Sequence, residues 1–355
     1  MATQTRRAEP RADIGEVNPT LVIQTAFLGD VVLTIPLLTA LAAQHGPVDV
    51  LVTPNAAPLV ETHPAVRTVI SYDKERTERG LRPFLRLVGR VRGLGYRRAY
   101  LPHQSWRSGI LALLAGIPTR IGFGDAPARW TYTARVARAQ GQHETKRLLG
   151  LSGSALAPTE AALGLTADDR AVAAEWLRSE GISGGFIALA PGSVWGTKRW
   201  PYYADLAEQL PDPIVVVGGH DVVGVADEIV QRAPGRAATA AGLLSLRQSA
   251  ALLEYATVLV TNDSAPLHIA SMLGIPMVAI FGPTVPAFGF GPLGSADVIV
   301  EHTSLPCRPC SRHGPSVCPL GHHRCMTELG VETVADAVAR VLDAVGGSGA
   351  IHRRD

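Results

Sequence analysis

The sequence predicts an α/β protein built from two doubly wound parallel-sheet domains, and three observations carry that prediction. Short apolar runs recur along the chain, each followed by a loop and a helical segment. The alternation pauses near Gly150 and restarts at Phe186. The chain has 355 residues, more than one hydrophobic core usually serves. Apolar strands separated by helices belong to parallel sheets covered on both faces.

The elements follow in order. Residues 1–17 carry charges with no apolar stretch behind them, so they read as a loose polar tail and not as a signal peptide. Leu21–Thr25 is the first strand, and the helical segment after it ends near Gln44. Val48–Thr53 and Val66–Ser71 are strands, Leu81–Leu94 a helix, and Ala99–Leu101 a strand entering a loop. Gly153, Pro158, Gly164 and the Gly181–Gly185 cluster punctuate the boundary. A helix lies inside it from Thr166 to Glu180, with Thr166 and Asp169 spaced as a capping box and Gly181 placed to end it. Beyond it, Phe186–Ala190, Ile214–Val217, Val258–Thr261 and Met277–Phe281 are strands, while Tyr202–Leu210, Leu246–Tyr255 and Ser264–Leu273 are helices. Val331–Val345 closes the chain as an amphipathic helix with Val334, Val338, Val341, Leu342 and Val345 on one face. The expected division is a tail at 1–17, an N-terminal domain at 18–165, a C-terminal domain at 166–330, and a closing helix and tail at 331–355.

Composition narrows the function. Apolar residues make up 46% and charged residues 18%, which suits a folded globular chain and not a disordered one. A net charge of +2 is too small for a general nucleic-acid binder. No run reaches the roughly 18 uninterrupted apolar residues of a spanning helix, so the expected compartment is the cytoplasm. Glycine-rich dinucleotide and phosphate-binding fingerprints are missing after the first strand, and no Gly-x-Ser-x-Gly elbow occurs. Dehydrogenases, kinases and hydrolases of those classes are excluded.

Five segments carry chemistry. In Thr261-Asn262-Asp263-Ser264-Ala265-Pro266-Leu267-His268 a strand runs into small polar residues and then a helix. Ser264 suits the N-cap, and the free N–H groups with the helix dipole make a phosphate site that His268, one turn in, can also reach. The alternative is that Asp263 and Ser264 only cap the helix and His268 packs beneath it. Ala190 to Pro201 is a polar loop after a buried strand. Its Lys198 can meet a diphosphate as a point charge, and its Ser193 can donate a hydroxyl. Its Trp195 and Trp200 are also natural loop anchors. Asp30, after Gly29 at the end of the first strand, can cap a helix whose regular part starts near Thr34 and Pro36, or act as a general base facing the cleft. Between Arg67 and Arg107 stand eleven cations (Arg67, Lys74, Arg76, Arg79, Arg82, Arg86, Arg90, Arg92, Arg97, Arg98, Arg107) against Asp73, Glu75 and Glu78. That excess suits an anionic acceptor or an anionic membrane surface, or simply a solvated helix face. The four cysteines Cys307, Cys310, Cys318 and Cys325, with His322 and His323 in the last interval, are candidates for a structural zinc site, against free thiols or disulfides formed on isolation.

At these residues the sequence resembles the ADP-heptose–lipopolysaccharide heptosyltransferases of glycosyltransferase family 9, most closely their second-heptose branch. The matching stretches are LGDVVLTIPLL at 28–38, APGSVWGTKRWP at 190–201, VTNDSAPLHIA at 260–270, FGPT at 281–284 and CPLGHHRCM at 318–326. The resemblance runs from about residue 20 to 343. It implies a GT-B fold, two Rossmann-like domains facing a cleft, with nucleotide sugar on the C-terminal domain and acceptor on the N-terminal one. It implies Asp30 as base, Lys198 and Ser193 at the donor's diphosphate, and Asp263, Ser264, Ala265 and His268 as the donor segment at the helix start. Asp221 is placed like an acidic ribose partner and Leu244 like a backbone contact to adenine. Ala265 stands where the family often has glycine, which touches only how closely backbone can approach.

The implied reaction is an inverting transfer by one in-line displacement. Asp30 takes the proton of an acceptor hydroxyl, and ADP leaves into the charges of Lys198, Ser193 and the N–H groups after Asp263. No cofactor is required on this reading. The expected partners are ADP-heptose, an anionic glycolipid acceptor of the lipopolysaccharide inner core, and the inner membrane surface in transient contact, with no nucleic acid. A nucleotide-sugar epimerase of the same fold and a non-catalytic anionic glycolipid-binding protein are the competing readings.

Overall fold

A computed structural model describes residues 19–74, 76–154, 162–211 and 213–346. The expected tail at 1–17, Pro158 and the last nine residues lie outside them.

Strands β1 (Thr20–Gln24), β2 (Val48–Val52), β3 (Val66–Ser71), β4 (Arg98–Leu101), β5 (Thr119–Phe123) and β6 (Ala134–Val136) form one sheet in the order β3-β2-β1-β4-β5-β6. Strands β7 (Phe186–Ala190), β8 (Ile214–Val216), β9 (Ala237–Thr239), β10 (Ala256–Asn262), β11 (Met277–Phe281) and β12 (Val298–Glu301) form the other, in the order β12-β11-β10-β7-β8-β9. Every pairing in both is parallel. The order reverses at β1 and β4 in one sheet and at β7 and β10 in the other. Such switch points are where open α/β sheets receive ligands, at the strands' carboxyl ends.

The first half contributes helices α1 (Leu28–His45), α2 (Ala57–Val60), α3 (Leu81–Gly93), α4 (Trp106–Leu114) and α5 (Glu144–Leu149). Next come α6 (Ala167–Ser179), α7 (Tyr203–Gln209), α8 (Val223–Arg232), α9 (Leu246–Leu253) and α10 (Ala265–Leu273), then α11 (Arg324–Thr327) and α12 (Val331–Gly346). The inner strands TLVIQ, VDVLV, FIALA and MVAIF are buried at every position, because helices cover both faces of each sheet. The α6 helix begins as its sequence requires: Thr166 accepts from the Asp169 N–H, and the Asp169 carboxylate takes the Thr166 N–H at 2.9 Å. It packs on α9 of the second half. Helix α12 lays Val334, Ala337, Val338 and Val341 onto β10, β11 and β12, with Leu342 and Val345 partly buried beside them.

Helix α1 starts earlier than expected. Its N-cap is Phe27, in extended backbone, and Asp30 sits three residues later with a carboxylate oxygen 3.2 Å from the Phe27 N–H. Asp30 therefore caps from inside the first turn, and Thr34 and Pro36 lie within the helix instead of opening it. The Thr34 hydroxyl donates to the Asp30 carbonyl at 2.7 Å, and Gln24 donates to Thr34 at 2.9 Å, which ties the turn to β1. Among the described residues α1 alone is long and apolar enough to cross a membrane by length and composition. Its apolar side chains are nonetheless core: Val31–Leu38 are all buried, against strands on one side and α5 and α10 on others. Elements not anticipated from sequence include β5, β6, β9, α4, α5 and α8. The outermost strands β6 and β9 are three residues long and read ARV and AAT, without the apolar run that reveals an inner strand.

Candidate functional site

The carboxyl ends of β1, β7, β8 and β10 open onto one interdomain cleft of about 800 Å³. Asp30, Ser193, Lys198, Asp221, Leu244, Asp263, Ser264, Ala265 and His268 all line it. Residues more than 230 positions apart in the chain thus meet in one space.

The wall from the second half is tightly bonded. Lys198 ends a short 3-10 turn, Gly196–Lys198, and its Nζ lies 2.5 Å from an Asp263 carboxylate oxygen. The Thr284 hydroxyl donates to that same oxygen at 2.6 Å. All three side chains belong to buried residues. Asp263 is therefore not a helix cap. It holds the lysine, whose ammonium has two further N–H donors to offer. Asn262 staples the loop to the strand: its oxygen accepts the Trp200 N–H at 3.2 Å and its amide donates to the Pro191 carbonyl at 2.8 Å. The two tryptophans divide. Trp200 is an anchor, buried and donating to the Leu329 carbonyl at 2.8 Å, whereas half-buried Trp195 faces the cleft. Arg199 stays in the loop and donates to the Ser193 carbonyl at 2.8 Å. Ser264 occupies the N-cap of α10 in extended backbone without a side-chain cap bond, and Pro266 sits in the first turn. Ser264, Ala265 and Pro266 at that terminus line the cleft, where the first N–H groups of a helix lack intrahelical partners. Asp221 is exposed at the rim, and Leu244 is half-buried in the lining.

His268 lines the cleft and is also packed beneath the helix, so both of its sequence readings find support in its position. Its ring is buried against Gly29 of α1, where an added Cβ would come within 2.6 Å of the ring's Cδ2. The absence of a side chain at Gly29 lets the first turns of α1 and α10 approach. Burial pushes the imidazole down to about 4, with the Asp263 charge opposing and His143 and Lys198 assisting, so the ring is neutral near pH 7. Its Nδ1 is buried with no partner among the described residues.

The opposite wall holds Asp30, half-buried at the cleft. Burial first, and then the Glu144 charge, raise its carboxyl to about 6 against the opposing Phe27 N–H bond and the charges of Arg312 and Arg138. Glu144 itself is clamped. Arg138 grips its two carboxylate oxygens at 2.5 and 2.6 Å, and Arg147 reaches it at 3.1 Å. Arg147 also donates to the Phe288 carbonyl at 2.9 Å, and the Glu144 N–H donates to the Gly289 carbonyl at 2.8 Å. This cluster ties the first half to the 286–291 loop of the second. Nothing in the local sequence marks it; it exists only because α5 is folded against that loop.

The cysteine stretch does not gather as a metal site. Among the described residues no group of three or more His, Cys, Asp or Glu side chains could hold a metal ion. Cys307 Sγ lies 4.0 Å from His322 Nε2, while Cys325 is turned into the core on α11 beside Met326. Burial pushes the Cys325 thiol up to about 11. The four cysteines stand as free thiols that do not converge as a ligand group among the described residues.

Comparison with known proteins agrees with this geometry. The sequence profile of glycosyltransferase family 9 (heptosyltransferase) matches residues 84–319. The chain is 28% identical over 357 residues to lipopolysaccharide heptosyltransferase 1 of Pseudomonas aeruginosa, covering 91% of this chain and 97% of that one. It is also 28% identical over 298 residues to lipopolysaccharide heptosyltransferase 2 of Escherichia coli, covering 76% and 84%. Among solved structures, a family 9 glycosyl transferase from Veillonella parvula is similar with a TM-score of 0.80 at 21% identity, covering 94% of this chain and 99% of that chain. The E. coli ADP-heptose lps heptosyltransferase II is similar with a TM-score of 0.70 at 22% identity, covering 91% and 98%. The two parallel sheets facing a cleft are the GT-B fold of these proteins. With the profile matching well over half of its length, the chain belongs to glycosyltransferase family 9, the heptosyltransferases.

Proposed function

We propose that this glycosyltransferase moves a heptose from ADP-heptose to an anionic lipopolysaccharide inner-core acceptor, with inversion, in a single displacement. The observation that carries the reading is that Asp30 lines the same cleft as the buried Lys198–Asp263–Thr284 group, one from each half of the chain. The names of the relatives supply the sugar and the acceptor class.

In this reading the acceptor sits against the N-terminal domain, 18–165, and the nucleotide sugar against the C-terminal domain, 166–330. Asp30 accepts the proton of the attacking hydroxyl as that oxygen bonds to the anomeric carbon. The bond from that carbon to the diphosphate breaks, and ADP carries the electron pair away. Lys198, Ser193 and the N–H groups at the α10 terminus stabilise its growing charge, so no step requires a cofactor. Asp221 and Leu244 in the cleft lining take the ribose and adenine. Neutral His268 contributes packing and a ring nitrogen, not a positive charge. Closure of the cleft keeps water from the donor. The enzyme works at the cytoplasmic face of the inner membrane, peripherally. Exposed Leu81 and Leu85 beside exposed Arg82, Arg86 and Arg90 on α3 support transient contact there.

Titration calorimetry with ADP and with UDP tests the donor assignment. ADP is expected to bind better, and Lys198→Ala to lose most of that affinity. Preference for UDP would sink the donor assignment while leaving the fold untouched.

A further inference from the structure

A strap from the second half crosses to the mouth of the cleft at Arg312 and His313, and neither residue has a role in the reaction as described above. The strap is firmly held. Arg308 donates to the Thr284 carbonyl at 2.9 Å, the Phe281 carbonyl at 3.1 Å and the Glu301 carboxylate at 2.8 Å. The Cys310 N–H donates to the Pro283 carbonyl at 2.9 Å, and the Thr197 hydroxyl donates to the Pro315 carbonyl. Gly314, at φ 79°, packs so closely that an added Cβ would lie 3.1 Å from Pro283 and 3.4 Å from the Lys198 side chain. A left-handed turn at a glycine thus bends the strap over the lysine.

The held turn presents two side chains to the cleft. The His313 ring lies 6.1 Å from that of Phe27, which in turn lies 6.1 Å from Trp195 in an edge-on arrangement. Three elements from both halves therefore make one aromatic surface, and Phe27 at its centre is 47% exposed. Phe27 is also the residue whose N–H bonds the Asp30 carboxylate. Arg312 is exposed, lines the cleft and makes no hydrogen bond or ion pair among the described residues. Its charge reaches Asp30. An unpaired guanidinium on a rigid turn, beside exposed aromatic faces, is organised in advance for a ligand with an apolar ring face and an oxyanion.

We propose that Arg312, with the Phe27–Trp195–His313 surface, forms the acceptor-sugar subsite: the aromatic faces take the C–H face of the acceptor saccharide, and Arg312 takes a carboxylate or phosphate it carries. This places the attacking hydroxyl over Asp30. It rests on the transferase reading above and adds that the donor-side half of the protein takes part in choosing the acceptor. Lys198 and Arg312 divide the anions of the two substrates between them.

Heptose transfer from ADP-heptose to deacylated lipopolysaccharide core, both heptose-free and carrying one heptose, tests it on whichever acceptor the wild type uses, with ADP affinity measured by calorimetry in parallel. Arg312→Gln should raise the acceptor KM roughly tenfold or more, the loss expected for one charge-assisted pair, with ADP affinity unchanged. Arg312→Lys should recover part of it, and His313→Ala should raise the same KM. Dephosphorylated and carboxylate-esterified probes identify the anion, because the matching probe is no longer sensitive to Arg312→Gln. An unchanged acceptor KM in both Arg312→Gln and His313→Ala overturns the proposal. A parallel fall in ADP affinity also overturns it, since the strap would then serve the donor. A wild-type protein that neither binds ADP nor transfers heptose removes the transferase reading itself, and this subsite with it, before any variant is compared.

Discussion

The two walls of the cleft treat a carboxylate in opposite ways. On one wall Asp263 is buried, and one of its oxygens is held by both Lys198 at 2.5 Å and Thr284 at 2.6 Å. On the other, Asp30 is half-buried, takes a single 3.2 Å bond from the Phe27 N–H, and has Glu144 as a like-charged neighbour. A paired charge is fixed and orients a cation. A carboxyl raised toward neutrality can exchange a proton near physiological pH. The same residue type thus supplies a rigid electrostatic frame in one half and a titrating group in the other.

The largest expected effect breaks the titrating side. Asp30→Asn should lower kcat by about 10²–10⁴-fold, the usual worth of a general base, and leave ADP affinity nearly intact. Full activity in a single-turnover assay would remove Asp30 from the chemistry. On the frame side, Lys198→Ala leaves Asp263 buried without its cation, which typically costs about 3–5 kcal/mol of stability. A double variant with Asp263→Asn should recover much of that in a denaturant melt while ADP binding stays lost. Recovery of both would make the pair purely structural.

A third experiment acts where the walls meet. Gly29→Ala pushes a methyl group to 2.6 Å from the His268 ring, an overpacking expected to cost about 1–3 kcal/mol. His268→Ala in the same chain should relieve it. If Gly29→Ala alone melts like wild type, the α1–α10 approach is looser than its geometry indicates.

The smallest effect is on pH dependence, and it sharpens the comparison. The proposed base role needs ionised Asp30, so kcat should rise with pH through a limb near 6. Glu144→Gln removes a neighbouring negative charge and leaves the Arg138 and Arg312 charges, so the limb should move to lower pH. Movement to higher pH would contradict the electrostatics described. The linkage to stability has its own sign. A carboxyl raised from 3.8 to about 6 in the folded protein favours folding on the acid side, and that contribution fades as pH rises through this window.

Much of the fold was legible because its signals are local. VDVLV, FIALA and MVAIF are apolar throughout, which only a strand covered on both faces sustains, and Thr166 with Asp169 announced the start of α6. The switch-point rule located the cleft only once the strand order was observed. The start of α1 was misjudged because its cap is Phe27, whose side chain cannot cap, and the carboxylate that does the work sits inside the first turn. The cysteine spacing left metal, free thiols and disulfides all open, because spacing along a chain does not say which way each thiol points.

The sequence by itself determined the alternation of elements, the turn residues, and the polar segments that follow β1, β7 and β10, because these depend on neighbours within a few positions. Tertiary structure decided what each charged group does. Asp263 and Asp30 are the same residue in similar strand-to-helix turns, yet Lys198, from 65 positions away, pairs with the first, while burial in the cleft and Glu144 from a separate helix raise the second toward neutrality. Electrostatic interaction depends on distance and burial in space, and neither can be read from separation along the chain.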